Sequence, residues 1–171
     1  MAYTVSRIRN SQPDVLSTAA SDAETSAQRV NAQIIQGREQ MNTLREDWIG
    51  TASDAAVKQY GELIAYQQAY RETLATLQAT LNKHGPKLVD YKAKVDAAVN
   101  QAEGRWDVAD DGSVSLGRML RLYVFMNPTR WFKIEAMRIA VENHIKLLLA
   151  QFEAEDVAAG YAIRQIGRAL T

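Results

Sequence analysis

The chain is 171 residues long, 47% hydrophobic and electrically balanced, with 20 basic against 20 acidic side chains. That length suffices for one domain with a buried core, and the balance excludes a strong overall field drawing the protein to nucleic acid. The absence of cysteine excludes disulfides, zinc–thiolate centres and thiol nucleophiles.

Proline is scarce (3) and glycine modest (9), while Ala, Gln, Glu, Leu and Arg, which give up little side-chain entropy in a helix, recur throughout. The first twenty residues lack the ~7–15-residue apolar core of a signal peptide. No segment approaches the ~20 apolar residues of a membrane span, and the most apolar run, Leu120 to Met126, is too short. Synthesis in the cytoplasm without a signal peptide is expected, with export, if it occurs, by a leaderless route.

Ser11, Pro13 and Asp14 mark a helix start with proline in its first turn. A stripe then runs through Leu16, Ala20, Ala23, Ala27, Val30, Ile34, Gly37, Met41, Leu44 and Trp48, in steps of three and four. This is the seam of a helix lying along a partner, and its small residues permit close approach. The pattern stops at Trp48-Ile49-Gly50, where Gly50 can take a left-handed conformation and Thr51 or Ser53 can cap the next helix.

A second stripe of the same period follows: Ala56, Tyr60, Leu63, Gln67, Tyr70, Leu74, Leu77, Leu81, His84, Leu88, Tyr91, Val95, Ala98 and Ala102. Two matched stripes across a tight turn specify an antiparallel helical hairpin. Each arm exceeds ~30 residues, or ~50 Å at ~1.5 Å per residue, which is rod-like. A single hairpin buries one seam only and calls for further helices from this chain or another. Gly85-Pro86 is expected to kink or briefly break the second helix, because proline removes a hydrogen bond and clashes one turn back.

Between Arg105 and Leu116 the period changes to alternation around Asp110-Asp111-Gly112, and Asp-Gly predicts a small β-hairpin or an extended loop. Leu116 to Met126 reads as a short apolar helix ended by Asn127-Pro128-Thr129. The last helix carries Ile134, Met137, Val141, Ile145, Leu148, Phe152, Ala159, Ile163, Ile166 and Leu170 on one face.

Chemistry is sparse. His84 and His144 lie in different helices, and Glu142 precedes His144 by two residues rather than the three a helical di-metal site uses, so both histidines are read as interface or surface groups and no metal is expected. Asp107, Asp110 and Asp111 lack the alternating ligands and final glutamate of a calcium loop and read as a plain turn. No phosphate loop, nucleophile elbow or triad is present. No catalytic residue and no cofactor is therefore expected, and the protein is read as not an enzyme.

The stretch from Arg118 to Arg138 stands apart. Arg118, Arg121, Arg130, Lys133 and Arg138 face one acid, Glu135, and are interleaved with Tyr123, Phe125, Trp131 and Phe132. Three readings are open: core aromatics with an arginine rim, a protein-partner surface, or contact with an anionic membrane surface. The contact candidates are Arg118, Arg121, Arg130, Trp131 and Lys133. Tyr60 and Tyr70 fall on the helix seam, whereas Tyr66 falls off it and is a further contact candidate.

The segment Asp47-Trp48-Ile49-Gly50-Thr51-Ala52-Ser53-Asp54-Ala55-Ala56, at the joint of the two stripes, resembles the WXG100 superfamily, small helical substrates of type VII secretion. The resemblance covers about residues 10–104, and the remainder looks like the longer N-terminal helical domains of actinobacterial type VII effectors. It implies that Trp48 and Gly50 form the turn of a secretion motif. It also implies a partner: a second helical-hairpin protein as homodimer or heterodimer, a type VII effector or a secretion component. The family's bipartite signal adds a Tyr-x-x-x-Asp/Glu. Here Tyr60, Tyr66, Tyr70, Tyr91, Tyr123 and Tyr161 are followed four residues on by Ile64, Tyr70, Leu74, Val95, Asn127 and Gln165, none acidic. Either a partner supplies that half, or the protein is not exported on its own.

The combined expectation is one all-α domain over 1–171: an elongated antiparallel hairpin (10–104), a β-hairpin or loop (105–116), and C-terminal helices (117–171) completing a bundle. The function implied is a non-enzymatic, helix-pairing substrate or partner of a type VII (ESX) secretion system, secreted or at the cell surface. The alternatives are a membrane-surface-associated secreted protein using residues 118–138, and a helical adaptor for a separate toxin or hydrolase effector.

Overall fold

A computed structural model describes residues 3–168 of the chain. Five helices and one small sheet appear in the order α1 (Val5–Arg9), α2 (Val15–Asp47), α3 (Thr51–Ala102), β1 (Trp106–Val108), β2 (Val114–Leu116), α4 (Arg118–Met126) and α5 (Trp131–Arg168), with a 3₁₀ turn at Pro128–Arg130. The fold is all-α apart from the two-stranded sheet, with the long hairpin and long C-terminal helix read from the sequence. Leu170, the last residue of the α5 stripe, lies outside the described residues.

The chain forms two compact units, one of residues 15–83 and 160–168, the other of residues 3–14 and 84–159. In the first unit, α2 packs antiparallel on the early part of α3. Gly37 faces Tyr60, and nearer the start of α2 Asn31 accepts a 2.8 Å hydrogen bond from Arg71, further along α3. Ala20, Ala23, Ile34 and Gly37 of the first stripe are buried. The seam opens toward the turn, where Leu44 is exposed.

The second stripe departs from its expected course at two points. Leu63 and Tyr70 are exposed, and Ile64 and Arg71, one residue further on, hold half-buried positions instead, while Gln67 is half-buried as its place in the stripe implies. Tyr60, Gln67, Leu74 and Leu81, seven residues apart, stay on the inner face, while the positions between the first three of them fall one residue later, because a step of three or of four keeps a residue near the same face of a helix.

In the second unit the core is formed by Ile8, Leu88, Val95, Val99, Trp106, Val114, Ile134, Ile145, Leu148, Leu149 and Phe152. Burying each of its large aliphatic side chains contributes about 1.5–3 kcal/mol. Met137, expected on this face, is exposed. The helix α3 continues through Pro86 without the expected break. His84, Gly85 and Leu88 are buried on its flanks, and His84 is tied by a 2.7 Å contact to Glu155 of α5, so packing offsets the lost backbone hydrogen bond.

The short α1 was not foreseen, and α2 begins at Val15, after rather than around Pro13. Thr4 caps α1 by accepting the Arg7 amide at 3.3 Å. Asp110 anchors the same end, accepting the Val5 amide on its carbonyl at 2.8 Å and the Ser6 amide on its carboxylate at 2.7 Å. Arg9 reaches α3 at Asp96 and Asn100, 3.1 and 2.6 Å away.

The sheet pairs Trp106 with Leu116, Asp107 with Ser115 and Val108 with Val114, antiparallel. Its turn uses Gly112 at φ 81°, and Asp111 accepts the Ser113 amide and hydroxyl at 2.9 and 2.6 Å. The acidic run thus builds a turn, and no cluster suited to a metal occurs among the described residues.

Candidate functional site

The joint between α2 and α3 is built by three residues. The Trp48 amide donates to the Leu44 carbonyl at 2.9 Å, closing the last turn of α2. Gly50 then takes φ 138°, and its carbonyl accepts the Asp54 amide at 3.1 Å to open α3. No atom lies within 4 Å of a side chain placed at Gly50, so glycine is needed there for its backbone conformation and not for space. Ser53, expected as a possible cap, is buried and donates its hydroxyl to the Trp48 carbonyl at 2.7 Å. That bond ties the two sides of the turn together.

The apolar part of the tip is left open. Trp48 is 43% exposed and Ile49 is 92% exposed. With Arg45, Asp54, Val57 and Lys58 they border a shallow hollow. A half-exposed indole beside a nearly free isoleucine on a hydrogen-bonded turn is suited to burial by another molecule. Further along α3 in the same unit, Tyr66 is 69% exposed, as its position off the seam implies.

The remaining sequence candidates gather in the second unit. None of the nine residues of α4 is buried. Met119, Leu122, Phe125, Met126, Trp131 and Phe132 are exposed, so the reading of these aromatics as core does not describe them. Arg118, Arg130 and Lys133 are exposed beside them. Arg121 spans to β1, donating to Asp107 at 2.9 Å and to the Leu116 carbonyl at 2.7 Å.

Arg138 separates from this group. Its guanidinium donates to Glu135 at 2.8 Å, to Glu142 at 2.6 Å and to the Val114 carbonyl at 2.9 Å. Hydrogen bonds from Arg138 hold the Glu135 carboxyl below its ordinary range, and those from Lys146, the Val114 amide and Arg138 do the same for Glu142. This network fastens β2 to α5 and is structural.

The residue-level reading also missed the partner of His84. Burial raises the pKa of Glu155, but hydrogen bonds from His84 and Lys87 outweigh it and hold the carboxyl below its ordinary value. The pair is 71 residues apart in the chain, beyond any local pattern. His144 is exposed.

Residues 10–91 match the profile of the WXG100 family, described as proteins of 100 residues with WXG. The match contains the whole of α2, the Trp48-Ile49-Gly50 turn and most of α3. No curated protein and no solved structure matches the chain.

Proposed function

We propose, from the place of residues 10–91 in the WXG100 family, that this protein is a non-enzymatic substrate or partner of a type VII (ESX) secretion system that works by helix–helix pairing. The supporting observation is the outer face of the hairpin. Ile35, Leu63, Tyr66 and Tyr70 are exposed on the long helices of one unit, and helices with apolar residues outside their mutual seam bury them against further helices. The partner in this reading is a second helical-hairpin protein, an effector or a secretion component.

Because no tyrosine from Tyr60 onward in this chain is followed four residues on by an acid, the partner supplies that half of the export signal. Trp48 and Gly50 supply the other half from the hairpin tip. The proposal places the protein outside the cytoplasm or at the cell surface in company with that partner.

The test is light scattering at high concentration, alone and after co-expression with candidate partners from neighbouring genes. A stable dimer or a co-purifying helical partner, weakened by Leu63→Glu with Tyr66→Glu, supports the reading. A strict monomer with no partner sinks it.

A further inference from the structure

The second unit carries a surface that hairpin pairing does not use. Residues 118–133 contain Arg118, Arg121, Arg130 and Lys133 and no acidic residue, in a chain with zero formal net charge. Nearby acids are neutralised from within the fold: Asp107 pairs with Arg121 at 2.9 Å and Glu135 with Arg138 at 2.8 Å. Arg118, Arg130 and Lys133 form no ion pair among the described residues.

The same segment holds large apolar side chains in solvent. Phe125 and Phe132 are each 86% exposed, one on each side of the Asn127-Pro128 break, and Met119, Leu122 and Met126 extend the surface along α4. Arg118 and Arg121 border a hollow with Met119, Leu122 and Phe125, which brings two guanidinium groups beside three apolar side chains.

We infer that residues 118–133 seat this protein on an anionic phospholipid bilayer. Phe125, Phe132, Met119, Leu122 and Met126 enter the headgroup–acyl boundary, while Arg118, Arg130 and Lys133 meet lipid phosphates. Apolar side chains that project singly from a short kinked segment match insertion into a fluid interface. Cations on both flanks complement its charge. No helix among the described residues is long and apolar enough to cross a membrane, so the segment lies in the interface plane. Trp131, 40% exposed between Arg130 and Phe132, sits where an indole partitions to the headgroup level.

The test is flotation of the full chain with vesicles of phosphatidylcholine alone and of phosphatidylcholine mixed with phosphatidylglycerol, at low and high salt. The expected result is flotation with the anionic vesicles, weakened by salt, and little with the neutral ones. Replacing Phe125 and Phe132 together by serine lowers partitioning by about tenfold or more. Replacing Arg118, Arg130 and Lys133 by glutamine lowers it by about fivefold per charge. All five positions are exposed, and unchanged helical circular dichroism verifies that each variant folds.

Trp131 emission shifts to the blue on binding and is quenched by brominated lipid, and Trp131→Phe removes that signal. Absence of flotation with anionic vesicles overturns the inference. So does equal flotation with neutral ones, or binding unaffected by the phenylalanine pair. Self-association abolished by the same pair without vesicle binding also overturns it, and assigns the face to protein contact. The inference is independent of hairpin pairing and stands or falls separately.

Discussion

The ring of Tyr60 lies directly over Gly37, so that a side chain at Gly37 would come within 2.7 Å of the tyrosine Cζ and closer still to its hydroxyl oxygen. This contact sets the approach of α2 to α3. Gly61, also in α3, faces open space with no atom within 4 Å. The two glycines should therefore respond in opposite directions. Gly37→Val overpacks the seam and costs about 1–3 kcal/mol, lowering Tm by roughly 2–4 °C per kcal/mol in a chain of this length. Gly61→Ala removes backbone freedom from an exposed helix and stabilises by up to about 1 kcal/mol. Thermal melts followed by helical circular dichroism check both signs.

Gly50 makes a different demand. With φ at 138° and no neighbour in the way, Gly50→Ala meets only backbone strain of about 1–3 kcal/mol. Trp48→Ala removes a half-exposed ring while leaving the backbone bonds of the turn in place, and is expected to cost less stability. If the tip is a recognition element, Trp48→Ala abolishes export or partner capture while the melt shifts little. Gly50→Ala shifts the melt itself. Comparing secretion assays with melts for the two variants separates the roles.

Much of this architecture is readable from local pattern. Ala20, Ala23, Ile34 and Gly37 were assigned to the seam by spacing and are buried in the structure, and Asp111-Gly112 makes the turn its chemistry favours. Trp48 and Gly50 drew meaning from sitting where two matched stripes meet. The errors have physical sources. Leu63 and Tyr70 give up the seam to Ile64 and Arg71, one residue further on, because steps of three and of four both keep a residue near one helix face, and α1 is five residues long, too short to show a period. Arg138 belonged by charge to the basic stretch, but its destination at Glu135, Glu142 and Val114 depends on tertiary packing. The exposure of Phe125 and Phe132 was one of the readings the sequence left open beside a core one, because a large apolar residue in a helix is ordinarily buried.

The pair His84–Glu155 gives the fold an acid-sensitive point. The carboxyl of Glu155 titrates below its ordinary value because bonds from His84 and Lys87 outweigh the effect of burial. A depressed folded pKa contributes stability that is fully present above the unfolded value of about 4.3 and is lost as pH falls through the folded value. Glu155→Gln therefore lowers Tm at neutral pH by a few degrees, roughly the effect of 1 kcal/mol in a chain of this size. The difference from the parent protein closes below about pH 4. Melts of both proteins across pH 3–7, a span of about four units centred near the carboxylate range, check this. A gap that stays constant through acid pH contradicts it.

Arg138 and Glu142 grip the two backbone groups of Val114 from one helix. The guanidinium donates to the Val114 carbonyl at 2.9 Å, and Glu142 accepts the Val114 amide at 3.3 Å. A two-stranded sheet is marginal by itself, so this grip and the buried Trp106 and Val114 side chains hold it in place. Arg138→Met keeps much of the apolar stem but removes the carbonyl bond and unbalances Glu135 and Glu142. The expected result is faster amide hydrogen exchange confined to residues 106–116, with little change along α2. Lys146, which already holds Glu142 at 2.5 Å, limits the damage to the carboxylate. Lys146→Met in the Arg138→Met background therefore accelerates exchange at Val114 further. If exchange at Val114 is unchanged in both variants, the side-chain packing of Trp106 and Val114 alone secures the sheet.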